Sequence, residues 1–401
     1  MSHFFQGLVL SGVFYIIKAV IYIVIFLYSY MIELRRVQTS QQLFLHVEKE
    51  KKQQHKHLEF SNMKKKILSL LCLVMVWALP STLKAEMEPS VTVYGNLRYS
   101  FNYVDEDGAG AGIDGFRGTD NVSRFGIKGS YGDDDLKAFV HLQVGAPSDW
   151  DDGSDGFTQR FFFGGFQGGF GKVTYGRMTN AYKFPGYALD PFYDLSRINS
   201  NGVFGGGGAS FGLSPATNGF TDNSLQYFTP NLNGFKLVGG IAIDDSNEDD
   251  LGFLAGGSYS NDGATIGVVY AQNGETAGNY PNIAVDGRAL RAYGTYKGDG
   301  WKLGASYENA DIMGWAEEAD FVYVTGTAML EEAKTDLSLS LGYVGVGDDS
   351  GYGITAGAFH HLLDNAQIYA MASYADFDDG VDYSPYVFSV GATYDFSFTS
   401  K

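Results

Sequence analysis

Residues 91–103 read Val-Thr-Val-Tyr-Gly-Asn-Leu-Arg-Tyr-Ser-Phe-Asn-Tyr. Every odd position is apolar, aromatic or glycine, and the even positions are mostly polar. The pattern returns at 385–398, where Tyr386, Phe388, Val390, Ala392, Tyr394, Phe396 and Phe398 share one side and Ser389, Thr393, Asp395 and Ser397 the other. A period of two sustained this long specifies strands and excludes helices. Aromatic residues gather near the ends of these segments and small ones near their middles. That arrangement fits a greasy face meeting lipid, with its ends at the headgroups.

Sixteen segments carry strand character, at about 91–104, 122–132, 136–146, 159–168, 171–178, 224–231, 235–243, 251–259, 264–272, 287–297, 301–309, 320–330, 337–346, 352–361, 367–376 and 385–398. The number is even, as closed bacterial barrels require. Short connections at 132–135, 231–234, 260–263 and 297–300 alternate with long ones at 105–121, 147–158, 179–223, 273–286 and 310–319. Short turns on one rim and long loops on the other mark the periplasmic and external ends. Lys236, Thr265, Arg291, Lys302, Ser306 and Glu308 alternate with the apolar set and call for a wet interior. The expected fold is all-β: a 16-stranded antiparallel transmembrane β-barrel. A soluble sandwich is the competing architecture, but it would need polar sheet faces where these are aliphatic.

The first 85 residues differ in character. Residues 63–85 open on Met63-Lys-Lys-Lys66, continue through an apolar stretch at 67–79 and end on Leu83-Lys84-Ala85, the pattern of a signal peptide cut after Ala85. Residues 1–62, with a hydrophobic run at 7–32, are expected to be an upstream extension outside the true product. The barrel then occupies 86–401, and 179–223, its longest connection, is the candidate to narrow the channel. That part carries 17 basic against 42 acidic residues, which argues against nucleic-acid binding and favours a moderate cation preference. Its lack of cysteine is compatible with an oxidising compartment.

Several motifs, taken in order, give the chain its family character: Val93-Tyr-Gly95; Ser123-Arg-Phe-Gly-Ile-Lys-Gly129; Gly169-Phe-Gly-Lys-Val-Thr-Tyr-Gly-Arg177 before the longest loop; Asn223-Ser-Leu-Gln-Tyr227 after it; and the aromatic closing strand. In these the chain resembles the trimeric general porins of Gram-negative outer membranes, over essentially all of residues 86–398. The resemblance implies a homotrimer in outer-membrane lipid and lipopolysaccharide, passing small hydrophilic solutes and ions. It also implies that the third external loop enters the barrel as a constriction, with Asp190 and Asp194 of the loop facing a basic wall drawn from Arg98, Arg124, Arg160 and Arg177. Strand parity puts Arg98 and Arg124 inside and leaves Arg160 open; Arg177 turns inward only if a bulge interrupts its strand. Two features depart from the pattern. Thr399, Ser400 and Lys401 follow Phe398, where the family usually ends on phenylalanine, and Gln226 stands where many relatives carry arginine.

No cofactor is expected, although the acidic runs at 105–107, 149–152, 244–250, 348–349 and 376–379 offer oxygen ligands for loosely bound Ca²⁺. Two other functions remain as alternatives. A substrate-specific channel would show an inward aromatic track, and Tyr94, Tyr293, Phe359 and Tyr369 read as inward but scattered. A barrel lipase or protease would need a poised histidine, and no convincing serine or aspartate constellation accompanies His141, His360 or His361.

Overall fold

In hydrocarbon a backbone amide has no solvent partner, so both edges of every spanning strand must be covered by other strands. The first strand, β1 (Glu88–Asp107), satisfies this by joining the two ends of the sheet. One edge pairs with β17 (Ser384–Ser400), from Val91↔Ser400 to Asp107↔Ser384, and the other with β2 (Gly115–Asp120) and β3 (Arg124–Gly132). The computed structural model describes residues 88–107, 115–146, 157–195, 209–243, 250–275, 278–378 and 384–400, all within the compact unit Ala78–Lys401. The expected upstream extension, the signal segment, residues 196–208 of the longest loop and the acidic runs at 149–152 and 244–249 lie outside the described residues.

Between these ends run β4 (Leu136–Gly145), β5 (Thr158–Gly168), β6 (Gly171–Met178), β7 (Thr221–Phe228), β8 (Phe235–Ile243), β9 (Leu251–Asn261) and β10 (Ala264–Gln272). They are followed by β11 (Arg288–Lys297), β12 (Trp301–Ala310), β13 (Ala319–Leu330), β14 (Thr335–Val346), β15 (Asp349–Leu363) and β16 (Ala366–Asp378). Each pairs antiparallel with its neighbours in chain order. Because β2 and β3 both lie against β1, they are two parts of one stave, and the seventeen strands make a closed barrel of sixteen staves.

Residues 115–120 correct the expected loop at 105–121. The stave is interrupted instead at 121–123, where Val122 adopts a φ of 64°. The break is stitched by Asp120 Oδ1 accepting from the Ser123 amide at 2.7 Å and by the Asn121 amide donating to the Arg98 carbonyl at 3.0 Å. At the far end, Thr399 and Ser400 do not fray from Phe398. They extend β17 in register against Thr92 and Val91.

The alternation has its expected outcome. In β14 the leucines 337, 339 and 341 are exposed on the outer face, while Ser338 and Ser340 are buried inside. On the short-turn rim, Asn233-Gly234 and Asp262-Gly263 have φ of 54° and 94° and of 49° and 79°. Two consecutive positive φ values define the turn whose twist matches a hairpin, which is why Asn-Gly and Asp-Gly occur there.

The dry core sits inside the barrel and on one side only. Residues 179–195 and 209–220, including α1 (Lys183–Leu189) and a 3-10 turn at Pro215–Thr217, fold against the inner faces of β11 to β16. Tyr182 and Ala216 of this loop pack with Ala242, Leu254 and Val269 of the wall and with Tyr280 of a neighbouring loop. Small wall residues admit the loop: a Cβ on Gly357 would lie 2.9 Å from the Phe192 ring, and one on Gly342 would collide with the Phe211 carbonyl. The inward Arg291 and Glu308, expected to need water, are instead sealed beneath the loop at 0% and 1% exposure.

Candidate functional site

The lumen retains a cavity of about 760 Å³ lined by β1, β3 to β6, β17, the 361–367 turn, α1 and the 190–195 segment. Six cations line it, namely Arg98, Arg124, Lys128, Arg160, Lys172 and Lys183, against the four carboxylates Asp190, Asp194, Asp364 and Asp395. Local backbone irregularities decide which of these reach one another.

Asp194 is the centre of the arrangement. Its residue adopts a left-handed φ of 56°, which turns the side chain to the wall, where Oδ2 lies 3.0 Å from Arg124 Nη1 and 4.0 Å from Arg98 Nη1. Arg98 is braced by the Tyr193 carbonyl at 3.3 Å and by Asn96 Oδ1. Arg160 owes its place to a register shift between β4 and β5: Gln143 faces Phe161 and Val144 faces Gln159, leaving Arg160 as the extra residue. Its Nε donates to Gln143 Oε1 at 2.7 Å, so the arginine whose parity was open in the sequence points into the lumen.

Two of the expected residues have other partners. Asp190 is 6% exposed and acts as a latch, accepting from the amides of Phe192 (3.0 Å) and Ser210 (2.7 Å), from Ser210 Oγ (2.9 Å) and from Tyr323 OH (2.9 Å). Burial raises its pKa above the usual carboxylate value, and those four donors oppose the shift. Its polar capacity is spent on holding the loop to β13. Arg177 does follow a break, a register shift between Gly176 and Met178 with Gly176 at φ 132°, but its Nη1 pairs with Asp222 at 2.6 Å and it does not line the cavity.

Lys183 joins the cluster without having been singled out in the sequence. It enters from the first turn of α1, its Nζ lying 5.0 Å from the Phe220 ring centre and 3.3 Å from the Gly219 carbonyl. Burial pushes its ammonium down to about 8; Asp194 opposes that shift, and Arg160 and Arg124 add to it. Phe220 also carries Arg160 at 5.0 Å and Arg177 at 5.4 Å, so one ring serves three cations. A lysine at the head of a glycine- and aromatic-rich loop carries no motif, and only the loop's path brings it to the arginines. Gln226 replaces the expected arginine with a fastening: its Oε1 accepts from the Ala181 amide at 3.1 Å and fixes the root of the loop.

The loop is held from behind by a second, fully buried knot. Arg291 Nη2 lies 2.6 Å from Glu308 Oε2 and also donates to Thr217 Oγ1, while Arg291 Nη1 donates to the Tyr182 carbonyl at 3.0 Å. Glu308 accepts from Tyr182 OH at 2.5 Å, the Ser214 amide at 3.3 Å and Ser214 Oγ. Farther along, Tyr369 OH donates to the Leu195 carbonyl at 2.5 Å, and Phe192 packs on Phe359 at 5.8 Å between ring centres. Two of the inward aromatics that looked scattered in the sequence, Phe359 and Tyr369, are docking points for the loop.

A closed antiparallel barrel with an apolar outside and a charged lumen narrowed from within has the architecture of an outer-membrane channel. The family described as Gram-negative porin matches residues 70–380, and the chain belongs to it. It is an outer-membrane porin.

Solved structures agree on the fold. The anion-selective porin from Comamonas acidovorans superposes with a TM-score of 0.60 at 20% identity, covering 77% of this chain and 100% of its own. OmpT, an outer-membrane protein of Vibrio cholerae, gives 0.56 at 18% identity, covering 79% and 100%. A mutant of the Rh. blastica porin gives 0.55 at 16% identity, covering 76% and 100%. No curated protein sequence matches the chain. Among the described residues no group of three or more His, Cys, Asp or Glu side chains is placed to hold a metal ion.

Proposed function

We propose that the chain is a passive diffusion channel for small hydrophilic solutes and ions, that segment 179–223 is its constriction, and that the constriction favours anions. The observation behind this reading is the set of four cations, Arg98, Arg124, Arg160 and Lys183, gathered around the carboxylate of Asp194, with Asp395 a further carboxylate acting on Arg98. Asp190 contributes little to the field, because it is buried and saturated with donors. A fixed positive excess in a narrow wet gap lowers the energy of an anion there more than acidic groups at a distance raise it, because salt screens exposed charges beyond about 8 Å at physiological ionic strength.

A second reading keeps the moderate cation preference given by the charge count of residues 86–401, with acidic external runs concentrating cations at the mouth. Reversal potentials in a KCl gradient across a planar bilayer separate the two. An anion-selective sign that persists at moderate salt supports the constriction, and a cation-selective sign that grows on dilution supports the mouth.

The remaining features complete the proposal. Residues 63–85 direct secretion and are removed, residues 1–62 are not part of the working product, and loosely held Ca²⁺ at the external acidic runs bridges to lipopolysaccharide. OmpT of Vibrio cholerae is known in a trimer form, and a homotrimer is proposed here too. Conductance in steps of three would support it. No catalytic role is proposed, since diffusion requires only an open path. Lipid or peptide hydrolysis by purified protein that stayed silent in bilayers would overturn this.

A further inference from the structure

The lumen carries more aromatic surface than its packing uses. On the wall, the His141 ring lies 4.7 Å from Phe161 and 5.4 Å from Phe163, and Phe161 lies 5.7 Å from Phe220. On the loop, Phe184 and Tyr187 lie 6.0 Å apart and are 43% and 42% exposed, yet they line the same interior cavity rather than the lipid face. Tyr187 also packs edge-on against Tyr193 at 5.6 Å between ring centres, so it is Phe184, an apolar ring left partly in water, that core packing does not explain. The scattered inward aromatics of the sequence were different residues; this surface forms only where the β4–β5 register shift and α1 meet.

The same cavity holds cations with unused capacity. Beyond the Nε bond to Gln143, the terminal nitrogens of Arg160 have no hydrogen-bond partner among the described residues. Neither Arg160 nor Lys183 has a carboxylate within ion-pair distance among them, and Asp194 is already engaged by Arg124 and Arg98. An arginine offers paired donors matched to a carboxylate, and flanking ring faces accept an aromatic body.

We propose that this face of the lumen is a transit subsite for aromatic carboxylates, with Arg160, Arg124 and Lys183 receiving the carboxylate while the ring passes between Phe161, Phe163 and Phe184. The proposal rests on the anion-favouring reading above and deepens it, because that reading alone predicts no preference between benzoate and acetate.

The test uses the mature protein in planar bilayers, with benzoate, acetate or neutral benzyl alcohol added to KCl. Benzoate is expected to halve the chloride current at about tenfold lower concentration than acetate, and benzyl alcohol to leave it unchanged. Phe161→Leu with Phe163→Leu, and separately Phe184→Leu on the exposed loop face, should bring benzoate to the acetate value. Arg160→Gln should weaken both anions. Equal block by benzoate and acetate in a wild-type channel whose KCl reversal potential is anion-selective overturns the subsite and leaves the anion reading intact. A cation-selective reversal potential overturns the reading itself, and the subsite with it. Preferential block by benzoate that survives in the Phe184 variant and in the paired variant places the ring elsewhere and also overturns the subsite.

Discussion

Removing the Glu308 carboxylate isolates what holds residues 179–195 and 209–220 against the barrel wall. Glu308→Ala takes away the partner of a guanidinium that is 0% exposed, together with the acceptor for Tyr182 OH, the Ser214 amide and Ser214 Oγ. Hydrogen bonds to a charged group contribute about 1.5–3 kcal/mol each, and stranding one member of a buried ion pair costs about 3–5 kcal/mol. These losses overlap, because water entering the vacated site rescues part of each, so about 3–5 kcal/mol is the expected total. That is more than a hundredfold shift in the docking equilibrium of the loop at about 1.4 kcal/mol per decade. The barrel is closed by backbone ladders on all sixteen staves and does not depend on this pair. The expected result is a channel of normal assembly but higher, noisier single-channel conductance, with new protease cleavage within 179–223. Glu308→Gln keeps an acceptor for Ser214 and Tyr182 and should fall between. A Glu308→Ala channel with wild-type conductance and an uncut loop would refute the claim that the buried knot holds the loop in place.

Other substitutions separate the roles within the cavity. Asp194→Asn should strengthen the anion preference, and Arg98→Ala with Arg124→Ala should shift it toward cations; reversal potentials at two salt concentrations report both. Asp190→Asn should move selectivity far less than Asp194→Asn, and an equal shift would contradict its assignment as a latch. Tyr323→Phe removes one donor to Asp190 at about 1.5–3 kcal/mol, expected as faster hydrogen exchange at 190–194 without loss of assembly. The depressed pKa of Lys183 means that its charge is lost as pH rises through about 8, well before any arginine titrates. Anion preference should therefore decline between pH 7 and 9, and Lys183→Met should abolish that step. N-terminal sequencing of outer-membrane material should begin at Glu86 or within a few residues of it.

The alternation by itself determined the barrel, because every lipid-facing residue pays for polarity while every second position escapes that constraint. Sixteen staves, the short-turn rim with its Asn-Gly and Asp-Gly hairpins and the inward placing of Arg98 and Arg124 were all legible in the order of residues. The longest loop could be recognised by its length, and Asp194 by its place in that loop. Tertiary structure decided what no periodicity encodes. Arg160 faces the lumen because one residue is extra between two strands, and Asp190 became a latch because Ser210 and Tyr323, distant in sequence, converge on it. Lys183 joined the arginines only through the path of the loop, and Arg291 and Glu308 exchanged a wet interior for a sealed one when the loop covered them. Strand parity is a local property of backbone geometry and can be read from neighbours. Charge pairing in the cavity depends on contacts such as Arg124 with Asp194, 70 residues apart, whose distances exist only once the loop has folded into the closed barrel.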